Sequence, residues 1–155
     1  MRSEDRGAPA RGTGHLTSDA PAGDGDVEQT WEISVPAAAS ELASLRRWAR
    51  QVLHERAAPG DVVDDIELAT SELATNVIRH TGSDTVRVRV TRTRGAWILD
   101  VADAERAPAP AGRQLPPPDD PTGRGLYVVS SVMDHVDLVD VEGTTVVRCT
   151  RVDAS

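Results

Sequence analysis

Glu72 and Asn76 stand four residues apart in the run Glu72-Leu73-Ala74-Thr75-Asn76. If that stretch is helical, the two side chains lie one above the other. By helical angle they border an apolar stripe that includes Leu73 and Val77. A carboxylate and an amide oxygen at such an edge could hold a hard cation, or the carboxylate could take a proton from a hydroxyl. The same spacing also suits an ordinary solvated pair on a helix surface.

Asp103 follows an apolar run and precedes a proline-rich stretch. A carboxylate at a strand end can accept hydrogen bonds from an exocyclic amine, and it equally suits a turn or a cap. Gly123-Arg124-Gly125 leads into Leu126 and a further apolar periodic segment. Glycines ahead of a helix let backbone N–H groups approach a phosphate, where the helix dipole helps; a plain turn is the simpler reading. A dinucleotide-binding fingerprint fails here, because Val128 stands where a third glycine belongs and no strand precedes the turn. Glu142-Gly143-Thr144-Thr145 reads by itself as a hairpin turn. His80 has no companion cysteine or histidine at metal-ligand spacing, so zinc is not expected. No Gly-x-Ser-x-Gly nucleophile frame is present.

These residues need elements to hold them. Trp31, Ile33 and Val35 alternate with polar neighbours and predict a half-buried strand. Pro36 then opens a helical stretch over about 37–54, with Leu42, Leu45, Ala49, Val52 and Leu53 as its stripe. A second helix is predicted over about 62–80, capped by Asp61 and stopped by Gly82. Val86, Val88 and Val90, then the run 97–101, predict an antiparallel hairpin about Arg94-Gly95. A short helix over about 125–133 precedes a closing hairpin, 136–141 and 144–152. Helices gathered early and strands late suit an α/β (α+β) two-layer sandwich, with the helices on one face of a mixed, mostly antiparallel sheet.

Residues 1–26, rich in Gly, Ala, Pro, Ser and Asp, predict a disordered tail, and residues 27–155 one domain. Phe is absent and aromatics make up 3% of the 155 residues, so the core must be aliphatic. The net charge of -8, with all 17 basic residues arginine, argues against direct nucleic-acid binding and against an anionic membrane surface. One cysteine, Cys149, excludes an internal disulfide and suits a reducing compartment. Without an apolar leader or a membrane-length apolar run, the chain reads as cytoplasmic.

Taken in order, the motifs resemble one family. The run ELATNVIRH is similar to the N-box of the GHKL (gyrase, Hsp90, histidine kinase, MutL) ATP-binding superfamily. Asp103 matches the aspartate of its first glycine box, GRGL at 123–126 its second, and GTT at 143–145 its last nucleotide-contacting segment. The single-domain anti-sigma-factor serine/threonine kinases are the most similar subgroup. The resemblance implies a Bergerat-type ATP-binding fold, with ATP and Mg2+ as ligands and residues 104–122 as the ATP lid. It implies Glu72 as general base, Asn76 as magnesium ligand and Asp103 as the adenine-selecting acid. Gly123, Arg124, Gly125 and Leu126 then fall near the phosphates, and Thr144 supports Asp103 and its water. The partners implied are an anti-sigma-factor antagonist protein, a sigma factor or both, and relatives often form homodimers.

One departure stands out. The first glycine box of the family often reads Asp-x-Gly-x-Gly; here it reads Asp103-Ala104-Glu105-Arg106-Ala107. The lost glycines restrict the lid backbone and Glu105 adds negative charge. Two functions therefore compete: a kinase that phosphorylates a small antagonist, and a weakly or non-catalytic module that sequesters a regulatory partner. A histidine kinase catalytic domain would need a phospho-accepting helical hairpin, for which residues 1–26 leave no room.

Overall fold

The computed structural model describes residues 15–17, 28–80, 82–103 and 124–153. Six strands form one sheet in the order β1-β2-β3-β4-β6-β5. They are β1 (His15–Thr17), β2 (Gln29–Pro36), β3 (Thr85–Thr93), β4 (Ala96–Asp103), β5 (His135–Val141) and β6 (Thr144–Val152). Every pairing between them is antiparallel, so among the described strands the expected mixed sheet is antiparallel throughout. The helices are α1 (Leu42–Glu55), α2 (Gly60–His80) and α3 (Arg124–Val132). Among the described residues no helix is long and apolar enough to cross a membrane.

Alternation along the strands builds the core. Trp31, Ile33 and Val35 of β2 face the helices with Val86, Val88 and Val90 of β3 and Trp97, Leu99 and Val101 of β4. Leu45, Val52 and Leu53 of α1 and Val63, Ile66, Leu73 and Val77 of α2 cover that face. α3 adds Leu126 and Val129, and Met133 just past its end joins them. Each fully buried aliphatic side chain contributes about 1.5–3 kcal/mol. Arginines close the rim: Arg56 lies 4.8 Å from the Trp31 ring centroid and Arg92 lies 4.7 Å from that of Trp97.

Three local differences from the sequence expectation have physical causes. The first helix starts later than residue 37: Ala37 N–H donates to Asp84 O at 2.8 Å, just before β3 begins, and Ala38 is extended, with φ of -135° and ψ of 141°. A 3-10 turn, Ala39–Glu41, bridges to α1. Asp61 is not the cap of α2: Val63 N–H donates to Pro59 O at 3.0 Å, so the helix starts one residue before Asp61. The Asp61 carboxylate instead joins Asp65 and Asp134 around Arg151, at 3.0, 2.8 and 3.5 Å. This fan of acids ties the start of α2 to β6. Finally, His15–Thr17 of the expected tail pairs with Thr30–Glu32 as an edge strand.

The sheet's other face carries a transverse row of charge. Glu32, Arg89, Asp100, Arg148 and Asp137 are successive register partners across β2, β3, β4, β6 and β5. Signs alternate along the row, as cross-strand pairing favours. Arg89 Nη2 meets Glu32 Oε2 at 2.7 Å, and Arg148 grips Asp100 with two bonds of 2.8 Å each.

Candidate functional site

α2 and α3 pack against each other, and their contact gathers three of the sequence-selected residues. Glu72 and Asn76 lie on α2 beside Leu73 and Val77, which are 2% and 8% exposed. Both polar side chains are half-buried at the edge of the core. Gly125, the second residue of α3, faces them. A Cβ built on Gly125 would stand 2.9 Å from Glu72 Oε2, 3.6 Å from Asn76 Oδ1 and 3.7 Å from Asn76 Nδ2. With the Glu72 carboxylate in this position, residue 125 has no room for a side chain, whereas its spacing from Asn76 is an ordinary contact. Leu126, the next residue, turns into the core and is 8% exposed. Arg124 opens α3. Gly123 and the segment 104–122 lie outside the described residues.

The remaining sequence-selected residues lie on β4 and β6. Asp103 closes β4 and pairs with Val86 of β3. β4 runs alongside β6, with Leu99 opposite Cys149 and Val101 opposite Val147. Two residues further along each strand stand Asp103 and Thr145. Leu99, Val101, Val147 and Cys149 all pack toward the helices, so strand alternation carries Thr145 to that same face. Thr144 falls instead in the row of Val146 and Arg148, on the face away from the helices, and is 2% exposed.

Thr145 is the residue that the sequence reading left out. Its hydroxyl oxygen Oγ1 is buried and has no hydrogen-bond partner. An orphaned buried hydroxyl costs roughly 1–3 kcal/mol unless water or a ligand satisfies it; Trp97 Nε1 and Asp153 Oδ1 are orphaned likewise among the described residues. Alternation could have found it: counting back from Cys149 and Val147 in steps of two reaches Thr145, not Thr144.

Glu142 and Gly143, with φ of 53° and 80°, form the tight turn that launches β6. A separate cleft lies on the outer face of the sheet, lined by Arg87, Arg89, Asp100, Ala102, Val141, Glu142 and Val146. It shares no residue with the Glu72–Asn76–Gly125 group.

The family model described as histidine kinase-like ATPase domain matches residues 35–151, a span that contains every residue named above as part of the site. The chain is also similar to curated relatives. It is 25% identical to the serine-protein kinase RsbW of Bacillus thuringiensis (strain Al Hakam), over 74% of this chain and 80% of the relative. The RsbW proteins of Bacillus cereus strains 03BB102 and G9842 are 25% and 24% identical over the same shares.

Proposed function

The chain belongs to the histidine kinase-like ATPase domain family, and from that premise we propose that it binds ATP with magnesium and transfers the γ-phosphoryl group to a serine of a small antagonist protein. In this reading it is an anti-sigma-factor-type kinase that chooses between that antagonist and a sigma factor. The similarity to proteins named serine-protein kinase supports the serine acceptor. The observation that carries the proposal is the packing of Gly125 against Glu72 and Asn76, so close that a Cβ there would stand 2.9 Å from Glu72 Oε2 and 3.6 Å from Asn76 Oδ1.

Two features fit a nucleotide. The first turn of α3, whose leading N–H groups have no partner within the helix, starts beside a carboxylate and an amide, as a phosphate at a helix N-terminus requires. At the β4–β6 end, the unpartnered Thr145 hydroxyl supplies a buried polar group beside the strand position that closes on Asp103. Asp103 accepts from the exocyclic amine of adenine, and Thr145 satisfies its hydroxyl on the base or on a water beside it.

Glu72 accepts the proton of the attacking serine hydroxyl as the new P–O bond forms. Asn76 Oδ1 would hold Mg2+ together with phosphate oxygens and water, and the ion when bound neutralises charge on the triphosphate. The terminal phosphoryl passes to the serine oxygen as its bond to the bridging oxygen breaks, and ADP departs as the leaving group, so little covalent chemistry falls to the protein beyond positioning.

A non-catalytic module that sequesters its partner is the second reading, favoured by the run Ala104-Glu105-Arg106-Ala107 in place of a glycine box. Calorimetry with ATP and Mg2+, followed by incubation with labelled ATP and small antagonist proteins, separates the two. Micromolar binding and label on an antagonist serine are expected of the kinase. Binding without transfer to any antagonist selects the sequestering module, and folded protein that takes up no ATP at millimolar concentration defeats the nucleotide reading.

A further inference from the structure

The outer-face pair Asp100–Arg148 joins the two strands that carry the adenine end of the site. Asp100 stands three residues before Asp103 on β4, and Arg148 three residues after Thr145 on β6. An odd separation along a strand means opposite faces, so the pair sits behind the sheet while Thr145 looks toward the helices. The grip is bidentate, Nε to Oδ1 and Nη2 to Oδ2 at 2.8 Å each, and the Asp100 side chain is 6% exposed. The Arg148 side chain is 35% exposed, and the fork itself, with two fixed N–H to oxygen bonds, tolerates little sliding.

Register decides which threonine faces the helices. The β5–β6 hairpin meets β4 only along one edge, and Thr144 and Thr145 are chemically identical neighbours. A one-residue slip of β6 against β4 would bring Thr144 to the helix face in place of Thr145. The same slip would move Arg148 off Asp100. Buried ion pairs are weak sources of net stability, and their best-attested role is fixing register.

We infer that Asp100 and Arg148 are positioning residues for nucleotide selection, holding β4 and β6 in the register that brings positions 103 and 145 to the same end of the two strands. The inference rests on the nucleotide reading above. It assigns the pair a role in discrimination between purine bases, because the base edge is read where the two strands end. The comparison pair is Glu32–Arg89, which lies in the same charged row but bridges β2 and β3, clear of Thr145.

The test measures MgATP and MgGTP affinity by calorimetry for the full chain, Arg148→Ala, Arg148→Lys, Glu32→Gln and the charge-exchanged double variant Asp100→Arg/Arg148→Asp. The wild type is expected to prefer ATP. Arg148→Ala is expected to lose about tenfold of that preference, about 1.4 kcal/mol of discrimination. Arg148→Lys, which keeps charge without the fork, falls between, and it serves alone if Arg148→Ala does not fold. The exchanged pair restores the preference, and Glu32→Gln leaves it unchanged. An unaltered ATP:GTP ratio in Arg148→Ala and Arg148→Lys, or an equal loss in Glu32→Gln, overturns the inference while sparing the nucleotide reading. A wild type that binds neither nucleotide overturns both.

Discussion

The backbone of Gly125 lies so close to Glu72 that a single methyl group there would stand 2.9 Å from the carboxylate oxygen Oε2. The obstruction is the far end of a flexible side chain, so the carboxylate can swing away at small cost. Alanine also suits a helix better than glycine, by up to about 1 kcal/mol. Gly125→Ala is therefore expected to fold with an unchanged or higher melting temperature. Phosphoryl transfer should fall at least tenfold, because the displaced carboxylate no longer addresses the acceptor hydroxyl. Full activity in a stable Gly125→Ala variant would show that the approach has no catalytic meaning.

Glu72 and Asn76 share one helix face but are assigned different work, so their variants should fail differently. Glu72→Gln keeps the shape and removes the base; transfer should drop by about two to four orders of magnitude with ATP affinity nearly kept, the usual scale for losing general-base assistance. Asn76→Ala should weaken ATP binding in the presence of Mg2+ and have a smaller effect in its absence. Affinity and single-turnover rate, measured separately, decide the matter. Parallel losses in both variants would count against the division of roles.

Thr145 offers a test in which stability and binding move in opposite directions. Thr145→Val replaces an unpartnered buried hydroxyl by a methyl group of similar volume. Removing that orphan should raise unfolding stability by about 1 kcal/mol in the absence of ligand. The same change should weaken ATP binding, because the hydroxyl is proposed to find its partner on the nucleotide or its water. Thr144→Val, on the other face, should leave affinity unaltered. Calorimetry and urea melts of both variants read the two effects independently, and a loss of affinity confined to Thr144→Val would reverse the assignment.

Much of the fold was legible because local patterns carry it. The Val86, Val88 and Val90 alternation, the Leu45, Ala49, Val52 and Leu53 stripe and the Glu142-Gly143 turn each specify an element without help from distant chain. What required the structure was non-local. Ala37 reads as helix from its neighbours, yet the carbonyl of Asp84 captures its N–H. Asp61 reads as a cap, yet Arg151 claims its carboxylate from across the domain. Glu72 and Asn76 could be paired from helical spacing, and only the packing of α3 on α2 brings Gly125 to them. Strand parity counted back from Cys149 and Val147 chooses Thr145 over Thr144, but the charged row depends on five strands meeting in register. Such information is absent from any window of sequence.

Cys149 makes the last prediction. It packs at 0% exposure among the core residues of β4 and β6. Burial, reinforced by the nearby carboxylates of Asp100 and Asp137, pushes its thiol from the ordinary 9.0 up to about 12. A folded-state pKa raised in this way means that the native chain keeps a proton which the unfolded chain gives up. Below pH 9 both states hold the proton and the thiol has no effect on the pH dependence. Between pH 9 and about 12 only the unfolded state ionises, so this one group should remove about 1.4 kcal/mol of stability per pH unit. Other titrating groups act in the same range, so the comparison is with Cys149→Ala, in which they remain and the thiol is gone. Urea melts at three values between pH 8.5 and pH 11, about the ordinary thiol range, should show the wild type's advantage over Cys149→Ala shrinking as pH rises. The native thiol should also resist alkylation at neutral pH until urea unfolds the chain. A constant difference between the two proteins, or rapid alkylation of the folded one, would mean that the β4–β6 core opens to water far more often than its packing implies.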